Sequence, residues 1–385
     1  MKSIIYIVFL GLVALFIASF ISAPNEPTIK VVQDDNVATS TVKLIDEDEK
    51  VDLNLITIEP EINNQISVVE EEIEKVTETP DEVIVEQIVT VQAEKIEEIP
   101  QVSFSQINEV TRATLVNIFC TTKSGGSFRP ITGSGIIIDD RGVVLTNAHV
   151  AQYFLLEDYL TEDFINCVVR TGSPAKPLYK AKLIFISPSW VQNNANNITQ
   201  SSPKGTGEDD YALLLITERT DPSKSLPQSF HSIEMLYNSG NIKINDDVLL
   251  AAYPAGFLSG IAIAKDLYIS SAITEVMEVF TFKEGTLDLF SIGGSVVAQQ
   301  GSSGGAVIDT NSKLLGIIVT SSVADTTAER DLRAITIAHI NRSFTKDTGS
   351  SLQTLFDSDL EQEISAFNTN IAPDLKQLLV DELEK

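Results

Sequence analysis

Residues 300–308 read QGSSGGAVI, which sets a serine among glycines directly before a short apolar run. Two other stretches also place a reactive residue type beside such a run. Residues 145–151 read LTNAHVA, and residues 208–216 read EDDYALLLI. Apolar runs of this length, bounded by glycine or polar residues, are typical of β-strands. The chain therefore places His149, an aspartate and Ser303, in this order, each beside a predicted strand.

A histidine, an aspartate and a serine together supply the groups that nucleophilic acyl transfer needs. The serine hydroxyl is a weak nucleophile and needs an adjacent base. A histidine whose pKa lies near neutrality takes the hydroxyl proton and returns it to the leaving group. A buried carboxylate fixes the tautomer of the imidazole and stabilises the imidazolium. Each motif taken singly is more often structural, so the prediction of a catalytic site depends on all three.

The motifs TNAHV, DYALL and GSSGG resemble those of the trypsin/chymotrypsin superfamily of serine peptidases, and most of all its bacterial HtrA/Deg-like branch. The stretch AYPAG at residues 252–256 matches a turn that this branch carries between the last two motifs. The resemblance covers about residues 105–345 and implies an all-β fold. Two six-stranded antiparallel β-barrels of the chymotrypsin type are expected to hold the active site in the cleft between them.

The resemblance also implies the roles of individual residues. His149 is expected to be the general base, Asp210 its orienting carboxylate and Ser303 the nucleophile. The N–H groups of Gly301 and Ser303 are expected to form the oxyanion hole. Asp209, beside Asp210, is interpreted as a solvated neighbour. The resemblance implies no metal and no other cofactor.

The sequence departs from this branch in a few places. Ser302 and Ala306 replace an asparagine and a proline around the nucleophile, and Tyr211 replaces a leucine after the aspartate. None of these changes removes a catalytic group. Members of the branch often carry a C-terminal PDZ domain, for which the roughly 40 residues after the similar region are too few. PDZ-regulated behaviour is therefore not expected here.

Substrate specificity is predicted from two places in the sequence. In the superfamily, the residue six positions before the nucleophile lies at the base of the primary pocket. Val297 has this position, which favours an apolar or small side chain of the substrate over lysine or arginine. The run LLGIIVTSS is expected to offer a strand edge to the substrate at Val319, Thr320 and Ser321, because extended peptides bind by adding a strand. His339 either borders the pocket or lies structurally on the last barrel strand.

The chain has two cysteines, which excludes a disulfide-dense scaffold and a four-cysteine metal site. Cys120 ends the first predicted strand of the domain, and Cys167 begins the strand after His149. In a double barrel of the implied kind these strands are neighbours. A disulfide between Cys120 and Cys167 is therefore expected, and two buried thiols are the alternative.

The N-terminal segment determines the predicted compartment. Residues 4–23 form an uncharged, apolar run of 20 residues, which at ~1.5 Å per residue spans the core of a bilayer. Lys2 precedes the run and mostly acidic residues follow it, which predicts a cytoplasmic N-terminus and an extracytoplasmic remainder. We predict a single-pass anchor over residues 1–23 in the cell membrane. A cleaved signal peptide is the alternative, although Ile21 and Pro24 fit a cleavage site poorly.

Residues 24–104 are predicted to be an acidic, disordered stalk. Residues 24–100 contain 21 Asp or Glu, five Lys and no glycine or aromatic residue. Such a segment cannot bury enough apolar surface to fold alone. The peptidase domain is predicted over residues 105–345 and a helical tail over residues 346–385, where apolar residues recur every three or four positions. The net charge of −27 for the whole chain argues against nucleic acid as a partner.

The sequence thus predicts a membrane-anchored, extracytoplasmic serine endopeptidase. It is expected to act on extended or unfolded protein segments through an acyl-enzyme intermediate. The alternative is a catalytically latent peptidase fold that serves as a binding or scaffolding module. The polar stretch at residues 192–207 is predicted to be a long surface loop, and cleavage of this loop by the chain itself is a third option.

Overall fold

The computed structural model describes residues 102–123, 130–200, 203–283, 285–322, 324 and 326–385. The predicted anchor and nearly all of the predicted stalk lie outside these described residues. Within the described ranges, no helix combines the length and the apolar character that a membrane crossing requires. The division of the chain into anchor, stalk, peptidase domain and tail stays a prediction.

The first half of the described chain forms a closed antiparallel barrel of six strands, as the sequence predicts. The strands are β1 (Leu115–Thr122), β2 (Ile131–Asp139), β3 (Val143–Thr146), β4 (Ile165–Thr171), β5 (Lys176–Ile186) and β6 (Ala212–Arg219). Around the barrel they follow the order β1-β2-β3-β6-β5-β4, and β4 closes it by pairing with β1. Strand β3 and the first part of β6 are fully buried, which explains why both read as continuous apolar runs.

The second half forms one antiparallel sheet of seven strands rather than the predicted barrel of six. The strands are β7 (Asp247–Ala252), β8 (Ser270–Glu275), β9 (Glu278–Phe280), β10 (Leu289–Ser291), β11 (Ala306–Ile308), β12 (Leu314–Ser321) and β13 (Leu332–Thr336). Their order in the sheet is β8-β7-β11-β12-β13-β10-β9. The additional strand arises because one stretch of chain bends at Val276 and Met277. The Val276 N–H bonds to Asp246 beside β7, whereas the Met277 N–H bonds to Ser291 of β10.

Short helices lie before, between and after the strands. They are α1 (Phe104–Thr114), α2 (Ala148–Ala151), α3 (Pro188–Asn194), α4 (Gly260–Lys265), α5 (Ile337–Thr348), α6 (Leu352–Phe356), α7 (Leu360–Asn370) and α8 (Ala372–Leu383), with 3₁₀ helices at Gln152–Leu156, Ala195–Thr199 and Ser239–Asn241. The described chain ends in helices, as the sequence predicts. Phe185 of β5 docks this tail on the first barrel, since its ring centroid lies 4.9 Å from that of Phe344 and 6.0 Å from that of Phe367.

Two apolar cores hold this architecture together. The larger core fills the first barrel and extends under the C-terminal helices, with Leu145, Leu213 and Phe367 among its buried members. The smaller core belongs to the second sheet and contains Phe290 and Val297. Each fully buried side chain of this type contributes about 1.5–3 kcal/mol to folding. The cores therefore fix the strands between which the polar residues of the candidate site lie.

The prediction of a long surface loop at residues 192–207 is wrong for the first half of that stretch. Helix α3 continues to Asn194, and a 3₁₀ helix follows at Ala195–Thr199. The Ser187 hydroxyl caps α3 by accepting the Trp190 N–H, and the buried Trp190 side chain anchors the helix. These two residues precede the polar stretch, so the composition of the stretch alone does not reveal the helix.

A disulfide joins β1 to β4. Cys120 and Cys167 lie directly opposite each other in the paired strands, and their sulfur atoms are bonded. The two cysteines are 47 residues apart, and the loop that they close contains His149. In the chain-entropy model, closing a loop of this size stabilises a fold by about 4 kcal/mol.

Candidate active site

His149 lies in helix α2, immediately after β3. Asn147 separates the strand from the helix and has extended backbone. Its side-chain amide donates to the backbone carbonyl of Asp210, with 2.9 Å between Nδ2 and the oxygen. This hydrogen bond ties the start of α2 to the turn before β6. His149 and Asp210, which are 61 residues apart in the chain, meet as a result.

Asp210 makes two hydrogen bonds to His149. Its Oδ2 lies 2.7 Å from His149 Nδ1, and its Oδ1 accepts the backbone N–H of His149 at 3.0 Å. The Asp210 side chain is 6% exposed and the His149 side chain is 34% exposed. The carboxylate is therefore shielded, whereas the imidazole reaches the surface. A contact at two points fixes the orientation of the ring and favours the tautomer that carries its proton on Nδ1.

The same contact sets the pKa of His149. Burial of the ring disfavours the imidazolium, but the charge and the hydrogen bond of Asp210 outweigh burial and raise the pKa above its ordinary value of 6.5. A general base must be neutral to accept a proton. Neutral His149 therefore becomes the main form only at a pH above 6.5.

Ser303 lies in a tight turn that leads into β11. Gly301 and Gly304 flank it with φ angles of 90° and 82°, in the left-handed region that only glycine enters freely. Ser134 of β2 holds this turn, because its N–H donates to the Ser303 carbonyl at 2.7 Å and its hydroxyl donates to the Gly301 carbonyl at 2.8 Å. Gly304 also lies against Thr146 of β3, close in sequence to the candidate base. The nucleophile turn (residues 300–305) is thus docked on the first barrel.

The Ser303 hydroxyl and His149 Nε2 make no hydrogen bond with each other or with any other group among the described residues. Both atoms are therefore free to meet a substrate. The structure brings His149 and Asp210 into direct contact, and it places Ser303 beside the same strands without a bond to the histidine. Contacts between a nucleophile and its base are often long before substrate binds.

The backbone N–H groups of Gly301 and Ser303 have no acceptor within the described part of the chain. Ala255 fixes the orientation of the first of them, since its N–H donates to the Gln300 carbonyl at 2.7 Å. In a planar trans peptide the carbonyl and the N–H point in opposite directions. This bond therefore turns the Gly301 N–H away from Ala255. Sequence reasoning noted the AYPAG motif but missed this role of its alanine.

Gly304→Ala is expected to lower the free energy of unfolding by about 3–5 kcal/mol. An added Cβ would lie 2.0 Å from the Ser134 carbonyl oxygen, and the φ of 82° strains any other residue. Gly349→Ala is the matched control, because Gly349 has a φ of 76° but nothing within 4 Å of an added Cβ. The free energy of unfolding of Gly349→Ala is expected to fall by about 1–2 kcal/mol. Urea unfolding measures both variants, and equal losses would contradict the close contact.

The predicted specificity residues Val297 and Val319 are both buried. Val297 lies wholly within the core of the second sheet, so its side chain meets no solvent in this structure. The Val319 side chain lies against the backbone of Gly207, shortly before the turn that carries Asp210. Because both side chains are buried, neither can line a substrate pocket with an exposed surface. Any pocket at this place must be lined by the residues that surround them.

Strand β12 has an open edge where the substrate is predicted to pair. On one side, Thr320 and Ser321 pair with β13. On the other side, pairing with β11 ends at Ile317, and two hydrogen bonds of Ile318 to the nucleophile turn extend it by one residue. No backbone partner is present for Val319, Thr320 or Ser321 on that side among the residues that the structure describes. An edge of this kind can accept an extended peptide as an added strand.

His339 lies neither on the last barrel strand nor at the substrate edge, because it belongs to the first turn of α5. Its Nδ1 lies 3.1 Å from Asp288 Oδ1, and its Nε2 lies 3.0 Å from Asp209 Oδ1. The interpretation of Asp209 as a solvated neighbour is therefore wrong, since its side chain is 14% exposed and bonded to the histidine. Sequence reasoning missed Asp288 entirely, because no motif links it to either residue.

No cluster of three or more His, Cys, Asp or Glu side chains that suits a metal ion occurs in the described ranges.

Residues 133–317 match the family model described as "Trypsin-like peptidase domain", and this range contains His149, Asp210 and Ser303. No curated protein sequence matches the chain.

Solved structures of two bacterial proteases are similar to this chain. The Rv3671c protease from M. tuberculosis, in its active form, is 19% identical over 65% of this chain and 87% of its own, with a TM-score of 0.40. The serine endoprotease from Yersinia pestis is 22% identical over 65% of this chain and 67% of its own, also with a TM-score of 0.40.

Proposed function

We propose that this chain, a serine endopeptidase with a trypsin-like peptidase domain, cleaves peptide bonds with His149 as the base, Asp210 as its orienting carboxylate and Ser303 as the nucleophile. The observation that carries this proposal is the contact of Asp210 with His149 at two points, 2.7 and 3.0 Å long. Because Asp210 occupies Nδ1, Nε2 is left as the basic atom of the ring. Nε2 has no partner within the described ranges and is free to accept the proton of Ser303.

The reaction proceeds in two half-reactions. In the first, Ser303 Oγ attacks the scissile carbonyl carbon while its proton passes to His149 Nε2, and Asp210 stabilises the imidazolium. The C–N bond then breaks, His149 returns the proton to the leaving amine, and the acyl group stays on Ser303. In the second, water gives a proton to His149 and attacks the ester carbonyl. The ester bond breaks, Ser303 regains its proton, and the carboxylic acid product leaves.

The N–H groups of Gly301 and Ser303 form the oxyanion hole in this proposal. Both lack an acceptor within the described residues, and the bond from Ala255 to the Gln300 carbonyl fixes the first of them. These donors bind the carbonyl oxygen as it becomes negative in each half-reaction. One such donor is typically worth about 10²–10³ in rate.

Extended or unfolded protein segments are the proposed substrates. The open edge of β12 supports this choice, because it adjoins the nucleophile turn and can pair with a substrate backbone. A segment inside a folded sheet or helix has no free backbone groups to offer to this edge. Main-chain pairing also explains how such an enzyme accepts many sequences, with an apolar or small side chain preferred at the cleaved position.

We place the peptidase domain outside the cytoplasm, anchored in the membrane through residues 4–23. The disulfide between Cys120 and Cys167 supports this placement, because disulfides persist in oxidising compartments and are rare in the cytosol. In this proposal the acidic residues 24–100 connect the anchor to the domain.

A fluorophosphonate probe tests the activated serine and its compartment together. Spheroplasts of bacteria that express the full chain are treated with a membrane-impermeant fluorophosphonate, and the labelled residue is identified by mass spectrometry. We expect intact spheroplasts to be labelled on Ser303, because fluorophosphonates react with a serine that a base activates. A membrane-permeant fluorophosphonate in parallel samples shows how much active enzyme is present in total.

Two other outcomes separate the parts of the proposal. Labelling of Ser303 by the permeant probe alone would support the catalytic site and overturn the extracytoplasmic placement. Failure of both probes to label the folded chain would overturn the peptidase mechanism. The latent binding or scaffolding module would then be the better account.

A further inference from the structure

A second histidine–carboxylate group lies beside the candidate triad. We call Asp209, His339 and Asp288 the His339 bridge. The two ring nitrogens of His339 face one carboxylate oxygen each, at 3.0 Å for Asp209 and 3.1 Å for Asp288. The three side chains are 14%, 11% and 2% exposed in the order Asp209, His339 and Asp288. The bridge is therefore shielded from water, and its charges interact strongly.

The bridge engages both ring nitrogens of His339. A neutral imidazole has a single N–H, so its second nitrogen would present a lone pair to a carboxylate oxygen at about 3 Å. Only the imidazolium donates to both carboxylates. Burial favours protonation of Asp209, but hydrogen bonds from His339 and Ser343 outweigh it and hold the pKa of Asp209 below its ordinary value. The carboxylate at this end of the bridge is therefore ionised and lies 3.0 Å from His339 Nε2.

Asp288 is the fixed end of the bridge. Its carboxylate accepts the Phe282 N–H at 2.7 Å and the Thr286 hydroxyl at 2.8 Å, and it also pairs with Arg342 of α5. These partners hold Asp288 whether or not His339 is present. Asp209 has fewer hydrogen-bond partners of this kind. His339 therefore holds Asp209 in place by connecting it to the fixed Asp288.

Asp209 is the less supported end of the bridge, and it is held in a strained conformation. Its φ of 56° lies in the left-handed region, which a residue with a side chain adopts only when its surroundings hold it there. The next residue is Asp210, the carboxylate that contacts His149. A turn that relaxes at Asp209 would move the Asp210 carboxylate away from the imidazole.

We propose that His339 is a positioning residue of this peptidase: by bridging Asp288 and Asp209, it holds the turn in which Asp210 meets His149. This inference rests on the proposed function, since it concerns the same catalytic histidine. It explains why a histidine that lies 130 residues from Asp209 and 51 residues from Asp288 in the chain is buried between the two carboxylates.

Histidine-selective ¹⁵N NMR of the full chain tests the bridge directly. The chain has three histidines, of which His231 is exposed and serves as an internal reference. In His339→Gln we expect the titration midpoint of His149 to move to lower pH, because Asp210 is less firmly held against it. His231→Gln is the matched control and should leave the midpoint of His149 in place.

The same variants are compared by kinetics on an extended peptide substrate. We expect kcat of His339→Gln to fall by about 10–100-fold with little change in KM, since a carboxylate displaced by about 1 Å affects the chemical step. Asp209→Ala should lose a similar factor. Asp209→Asn should lose about threefold or less, because its amide has both a donor and an acceptor to offer to Nε2 of His339 and the bridge persists.

Unchanged kcat and an unchanged His149 midpoint in folded His339→Gln would overturn the proposal. If that variant does not fold, Asp209→Ala decides. Wild-type kcat in folded Asp209→Ala overturns the proposal equally. Failure of the proposed function can be distinguished from failure of this inference. The titration of His149 reports its contact with Asp210 even in a chain that hydrolyses no peptide.

Discussion

Ser303→Ala is expected to lower kcat by about 10⁶-fold, because alanine removes the atom that attacks the substrate and carries the acyl group. The change leaves the fold intact. The Ser303 hydroxyl makes no hydrogen bond among the described residues, so the free energy of unfolding should stay within about 0.5 kcal/mol of the wild-type value. Hydrolysis of an unstructured protein by the full chain measures the first effect, and urea unfolding measures the second.

Ser302→Ala is the matched control, because it removes a hydroxyl one residue earlier in the same turn. The Ser302 hydroxyl is buried and donates to the Val297 carbonyl at 2.5 Å. Its loss removes one of two hydrogen bonds to this carbonyl, which also accepts the Gln299 N–H at 2.7 Å, and should cost about 0.5–1.5 kcal/mol of stability. We expect kcat to fall by about tenfold at most, since this hydroxyl is buried and bonds to the Val297 carbonyl. A loss as large as that of Ser303→Ala would contradict Ser303 as the nucleophile.

The residues of the candidate site could be named from the sequence because they lie in short motifs. His149, Asp210 and Ser303 each lie beside an apolar run, and apolar runs reveal strands without knowledge of their partners. The first barrel and the C-terminal helices follow from the same periodicities. The second sheet deviates because the bend at Val276 and Met277 depends on which neighbours each N–H finds, and pairing between distant strands leaves no mark in the local sequence.

The His339 bridge shows the corresponding limit within the site. Its members come from the turn before β6, the segment before β10 and the first turn of α5, and no local pattern links them. Asp209 looks like a solvated acid because it stands in an acidic triplet, Glu208 to Asp210. Only the fold brings a histidine 130 residues away into contact with it. Contacts between polar groups of distant segments are the part of a site that motifs do not predict.

Asp210→Asn is expected to lower kcat/KM by about 10⁴-fold and to change its pH dependence. The asparagine amide can donate to His149 Nδ1 and so favours the tautomer whose proton lies on Nε2, which cannot accept a proton from Ser303. With Asp210 present, the pKa of His149 is raised above 6.5, so kcat/KM should rise with pH through a midpoint above that value. Without the carboxylate, burial of the ring remains and opposes the imidazolium, so the residual activity should have its midpoint at lower pH.

Asp209→Asn, the same change one residue earlier, is the matched control for this prediction. Its kcat/KM should fall by about threefold or less and its midpoint should stay near that of wild type, because the Asp210 carboxylate remains against His149. Profiles of kcat/KM from about pH 5 to pH 9 measure both variants. Similar losses at the two positions would mean that the negative charge of the turn as a whole supports the base. A loss confined to Asp210→Asn assigns that support to the one carboxylate that contacts His149 Nδ1.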